Sequence, residues 1–190
     1  MSSSTQNNTP QEWRSSRRAR SIRLRELILF AMLGAIMFSS RVIMAALPNI
    51  HIVGMLTMLF TVVFRWKALI PLYVYVLAEG VFAGFDVWWL PYLYIWTLLW
   101  GATMLLPQKM PRGVACVIYP LLCGLHGLLF GVLYAPVWAL VYRMNLAQTL
   151  AWIAAGTTFD ILHCVGDVCA GLLILPLAEI FRKALKKLYT

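Results

Sequence analysis

A chain of 190 residues that is 62% hydrophobic and only 12% charged departs from the roughly one-quarter charged composition of soluble domains. At ~20 apolar residues per membrane crossing, this length holds about six spans with short connections, which excludes an additional soluble enzyme domain. The net charge of +9 would suit nucleic acid, but most Lys and Arg flank apolar segments, where lipid headgroups and insertion topology account for them, so no nucleic-acid partner is expected.

Residues 1–25 begin Ser/Asn-rich and then carry Arg14, Arg17, Arg18, Arg20, Arg23 and Arg25. They read as a basic, partly disordered N-terminal tail leading into a membrane-surface helix. The apolar run that follows is too long for a signal-peptide core and reads as the first span. Residues 26–188 then form one all-α, polytopic membrane domain. Its six predicted helices fall at about 26–46, 51–64, 67–85, 89–106, 113–141 and 150–181. The second is short, and the last two are long enough to require tilt or a kink, with Pro120 the expected kink site. An even number of spans puts both termini on one side. Fourteen of the sixteen Lys and Arg residues fall on that side, which the positive-inside rule makes cytoplasmic. Arg41 and Arg143 are the exceptions.

The four cysteines, Cys116, Cys123, Cys164 and Cys169, lie within predicted helices and form no C-x-x-C pair. They indicate neither a disulfide framework nor a zinc site, and no metal or cofactor is expected. The chain has no G-x-x-x-x-G-K-[ST] motif, so it does not hydrolyse ATP by itself.

Polar residues in the apolar segments carry the functional signal. In "FDILHCVGDVC", Asp160, His163 and Asp167 are spaced three and four apart and share a helical face. Each ionisable group within a span costs ~2.5–3.5 kcal/mol, so such a row faces a cavity or a partner helix rather than lipid. A ligand-site wall and an interhelical clasp, with Arg41, His126 or a backbone group as the partner, both fit this pattern. Asn49 and His51 in "ALPNIHIVG" and Asp86, Trp88, Trp89, Tyr92 and Trp96 in "FDVWWLPYLYIW" lie at the outer ends of other spans. Trp and Tyr there ordinarily form an interfacial belt, but Trp89, Tyr92 and Trp96 at helical spacing also suit stacking on a ring-bearing ligand. His126 stands alone in "CGLHGLLFG" among Gly124, Gly127 and Gly131. Near the start of the first span, "AMLGA" places Ala31 and Ala35 four apart, a face that permits close helix docking.

Taken together, the six-span chain, its basic N-terminal end, "AMLGA", "LPNIH" and the last span "FDILHCVGDVCAGLLILPL" resemble the substrate-binding S components of energy-coupling factor (ECF) vitamin transporters. The resemblance covers roughly residues 26–188. It implies no enzymatic activity and a place in the plasma membrane of a prokaryote. It also implies docking of Ala31 and Ala35 on a transmembrane T component, with two cytoplasmic ATPases completing the importer. By the same resemblance, Asn49, His51, Asp86, Trp88, Trp89, Tyr92, Asp160 and His163 face a vitamin or related micronutrient, with Trp96 added by its helical spacing. A cobalamin-like ring system is the weak substrate preference; folate, riboflavin, thiamin precursors, pantothenate and queuosine precursors stay open. Many members of that family carry Asn where this chain has Asp167. Two other classes compete: a stand-alone proton-coupled carrier or channel using Glu79, His126 and Asp167, and an intramembrane hydrolase using His163 and Asp167.

Overall fold

The structure, a computed structural model, describes the backbone of residues 10–47 and 50–189 and the side chains within 24–47 and 50–187. Among the described residues eight α-helices follow in chain order: α1 Pro10–Ile43, α2 Val53–Phe64, α3 Leu69–Ala83, α4 Tyr92–Leu105, α5 Arg112–Leu128, α6 Phe130–Val141, α7 Leu146–Gly171 and α8 Ile174–Tyr189. Short 3-10 turns follow α1 and connect α2 to α3 and α3 to α4. The chain is thus an all-helical protein. Among the described residues four helical stretches are long and apolar enough to cross a membrane: Leu24–Ala46, Val53–Ala83, Arg112–Val141 and Leu146–Gly171. The basic segment expected as a separate tail is helical from Pro10 and continuous with the first span; residues 1–9 lie outside the described residues.

Cross-helix contacts order the chain between two poles. Glu26 pairs with Lys67 at 3.0 Å, Phe30 meets Phe64 edge-on, Gly34 abuts Val74 and Phe38 meets Phe82, so α1 and α3 pack directly and run parallel, and α2, which links them in the chain, runs the opposite way. The Tyr73 hydroxyl donates to the Leu93 carbonyl, Trp89 reaches Val76 and Trp100 reaches Arg65, so α4 runs against α3. Helix α7 runs against α5 and α6, with Gly131 at Asp160, Gly127 at His163 and Gly171 at Pro120.

One pole gathers the basic residues. Arg65 donates to the Met104 carbonyl at 2.8 Å and Arg182 to the Val62 carbonyl at 3.0 Å. Arg112 grips Glu179 with two nitrogens, the shortest contact being 2.6 Å. The first two bonds satisfy last-turn carbonyls of α4 and α2 that would otherwise lack partners, and the ion pair ties α5 to α8. Arg65 has φ 57, an uncommon conformation for a residue with a side chain, and this turn reverses the chain into α3.

Helix α2 is the centre. Its mixed apolar surface has no polar face, and Val53 through Thr61 are all buried, as expected of a helix hydrophobic all round. Thr61 returns its hydroxyl to the Thr57 carbonyl at 2.6 Å, so the buried group is satisfied inside its own helix.

Two long predicted spans are broken, and neither break is at Pro120. Helix α5 continues through Pro120 to Leu128. The break comes at Leu129, where the Gly131 N–H donates to Asp160 Oδ1 at 3.1 Å and a side chain thereby enters the helical ladder. The last span begins at Leu146, earlier than expected, because Asn145 and Gln148 form a reciprocal capping box. It breaks after Gly171 because Pro176 lacks an N–H and its ring would strike the carbonyl four residues back, at Leu172.

Candidate functional site

At the pole opposite the basic cluster, a pocket of about 220 Å³ opens beside the end of α1. Arg41, Met44 and Ala45 form one wall, and Leu47, Ile50 and His51 form the segment that enters α2. Tyr92 from the first turn of α4, Phe130 at the α5/α6 break and His163 from α7 close the other side. The break therefore positions the site: Asp160 holds the Gly131 N–H, and the adjoining Phe130 ring lies 4.8 Å from His163, edge to face.

Beneath the rim, aromatic rings form the floor. Trp96 is fully buried and meets His51 at 5.9 Å, Tyr92 at 5.8 Å and His126 at 5.5 Å between ring centroids. Tyr75 packs against both Tyr92 and Trp96. His51 and His163 are edge-to-face at 4.6 Å, although His51 comes from a connecting segment and His163 from the middle of α7. One helical turn below His163, Asp167 is 0% exposed, its Oδ2 3.4 Å from His163 Nε2.

Asp167 has room because the helices around it carry glycines. A Cβ at Gly54 would lie 3.2 Å from both carboxylate oxygens, and one at Gly127 would lie 2.9 Å from Oδ2 and 3.1 Å from the α7 backbone at Cys164. Small residues thus let α5 and α2 close on α7 while leaving a slot for the carboxylate.

The residues expected at the site separate into three groups. His51, Tyr92 and His163 line the pocket, and Trp96 supports it from below. Asp160, Trp88, Trp89 and Asp86 hold the scaffold instead. Asp160 clasps the α5/α6 break. The Trp88 carbonyl accepts from the Tyr134 hydroxyl, and its ring packs on Tyr92 at 5.6 Å. Trp89 donates through Nε1 to the Val76 carbonyl at 2.7 Å. Asp86 is exposed and accepts from the Val87 N–H at 2.6 Å, capping the 3-10 turn. Asn49, the remaining expected contact, lies outside the described residues.

Six pocket residues were not expected from the sequence: Arg41, Met44, Ala45, Leu47, Ile50 and Phe130. Arg41 stands out by its position in the first span, where an ionisable group is itself a site signal. Its charge also acts on Tyr92 and on Glu79, which is buried in α3. Phe130 and Ile50 are apolar residues in apolar surroundings and carry no such mark. Ala31 and Ala35, the expected docking pair, are both exposed on α1, while the adjacent Gly34 is buried against α3.

No protein-family description, curated protein or solved structure matches this chain.

Proposed function

We propose that this chain is the membrane-embedded substrate-binding subunit of an ECF-type importer, capturing a vitamin or related micronutrient at one membrane face and delivering it inward. The observation that carries this reading is the pocket at the pole opposite the basic cluster, where a cation, two imidazoles and aromatic rings converge. Such a mixture suits a ligand with a ring and an amide or charged group. In this reading α1, α2, α3, α4, the α5–α6 pair and α7 serve as six spans. The basic pole and both termini face the cytoplasm of a prokaryotic cell, as the positive-inside rule assigns them.

Energy comes from partners in this reading. A transmembrane T component docks on the exposed Ala31 and Ala35, where small side chains permit close approach, and two cytoplasmic ATPases drive the cycle. The pocket volume of about 220 Å³ is below the range typical of drug-sized ligands. It favours a one- or two-ring vitamin, and a cobalamin-like ligand would have to project above the rim.

The test is native mass spectrometry of the chain purified alone in mild detergent, followed by binding measurements against a vitamin panel. A vitamin retained at one per chain, with binding weakened by Tyr92→Ala, supports the assignment. No binding across the panel, together with pH-driven flux in liposomes holding this chain alone, replaces it with the stand-alone carrier. That second reading draws on burial of Glu79, His126 and Asp167, the groups such a carrier would titrate.

A further inference from the structure

Below the pocket, the two imidazoles that line it, His51 and His163, meet the buried Asp167. His51, His163 and Asp167 each present a ligand-type atom, and the three atoms lie within 4.8 Å of one another. His51 Nδ1 and His163 Nε2 are buried without a hydrogen-bond partner among the described residues, and the buried Asp167 carboxylate has, apart from His163, the weakly donating Cys123 thiol beside it. A buried carboxylate in that condition is costly unless paired or bound to a metal, and polar atoms in a folded core are otherwise nearly always satisfied.

We propose that His51, His163 and Asp167 bind a divalent first-row transition-metal ion of the Zn²⁺ type, with its fourth coordination position facing the pocket. Two imidazoles and one carboxylate are the donor set of open metal sites, in which three protein ligands leave a position for water or a small ligand. Metal–ligand bonds of about 2.1 Å in tetrahedral geometry set neighbouring donor atoms about 3.4 Å apart. His163 Nε2 and Asp167 Oδ2 are 3.4 Å apart, a separation already right for a shared ion and too long for a good N–H···O hydrogen bond. The third donor is no more than 4.8 Å away, so an inward movement of up to about 2 Å by the His51 side chain completes the site.

Arg41 on the pocket wall also acts by its charge on His51, a repulsion that the Asp167 carboxylate and the two imidazoles must outweigh for a cation to bind. The glycines at 54 and 127 keep the carboxylate lodged beneath the two imidazoles. The inference concerns metal binding alone and stands whether or not the chain imports a vitamin.

The experiment uses the full chain, purified in mild detergent and stripped with a chelator. Zn²⁺ binding is followed by calorimetry, with Mg²⁺ as the control cation, and Co²⁺ serves as a spectroscopic probe of the ligand set. We expect one Zn²⁺ per chain, no Mg²⁺ binding, and visible Co²⁺ bands of a four-coordinate nitrogen and oxygen site. His163→Gln and Asp167→Asn should each weaken Zn²⁺ binding by more than about 100-fold, since losing a ligand exceeds the effect of losing an outer-shell partner. Absence of Zn²⁺ binding by the parent chain, or affinity unchanged in both variants, overturns the site and leaves His163 and Asp167 as a helix clasp. Should the variants fail to fold, the Co²⁺ spectrum of the parent chain decides: six-coordinate bands alone overturn the assignment. A vitamin bound by metal-free protein that also takes no Zn²⁺ removes the metal site while sustaining the importer reading.

Discussion

Replacing Gly127 with Ala tests the contact on which the whole floor rests. A methyl group there would sit 2.9 Å from Asp167 Oδ2, 3.1 Å from the Cys164 nitrogen and 3.1 Å from the His163 carbonyl carbon. Two of these three are backbone atoms, which cannot rotate away, so α7 must retreat by several tenths of an ångström. Overpacking of this kind costs about 1–3 kcal/mol, and the helix-propensity gain of Gly to Ala returns about 0.5–1 kcal/mol. At mid-range the net loss is roughly 1 kcal/mol, which lowers Tm by about 2–4 °C for a chain of this size. Gly101 supplies the control: it lies within α4, and a Cβ there meets nothing within 4 Å. Gly101→Ala should therefore raise Tm by about 1–4 °C. Thermal unfolding of both variants in the same detergent, read by tryptophan fluorescence, gives two shifts of opposite sign. A Gly127→Ala protein as stable as the parent would refute the claim that α5 and α7 are in backbone contact beside the site.

Other consequences are equally direct. Asp160→Leu leaves the Gly131 N–H without its acceptor and should cost about 1–3 kcal/mol, whereas Asp160→Asn keeps an acceptor and should cost much less; equal losses in thermal unfolding would contradict the clasp. Trp89→Phe removes the 2.7 Å bond to Val76 and should lower stability by about 0.5–1.5 kcal/mol with ligand affinity unchanged, while Tyr92→Ala weakens affinity; calorimetry on the two variants separates support from contact. Ala31→Trp combined with Ala35→Trp should abolish ATP-dependent uptake in vesicles and leave binding by the isolated chain intact, because both residues lie on the exposed face of α1; uptake at the parent rate would dispose of the docking face.

Much of the architecture was legible because its causes are local. Apolar segments of the right length, and the Lys and Arg between them, foretell the helices and the basic pole. The spacing of Asp160, His163 and Asp167 foretells a shared buried face, and all three are buried. What escaped depends on distant atoms. Nothing in residues 113–141 marks Leu129 as a break, because the acceptor that interrupts the ladder belongs to Asp160 on another helix. Pro120, the visible candidate, is accommodated within α5. Helical spacing misplaced Trp89 because it belongs to the 3-10 turn ahead of α4, where a 3.6-residue period does not apply and the indole turns towards α3. The meeting of His51 with His163 and Asp167 is tertiary in the same sense: one residue enters α2 and the other two sit in α7, and no local pattern joins them.

The brevity of α2 has a further consequence. Its 12 residues extend only about 18 Å, against ~30 Å for a hydrocarbon slab. Its neighbours bury Val53 through Thr61, so in a bilayer protein rather than lipid would make up the difference. Ile50 and His51, which lead into its first turn, line the pocket, so the length of α2 sets how far they stand from the basic pole. Inserting one helical turn into α2 would carry His51 about 5.4 Å away from Trp96 and His163, which other helices hold in place, and would take the pocket apart without a change to any of the residues that line it.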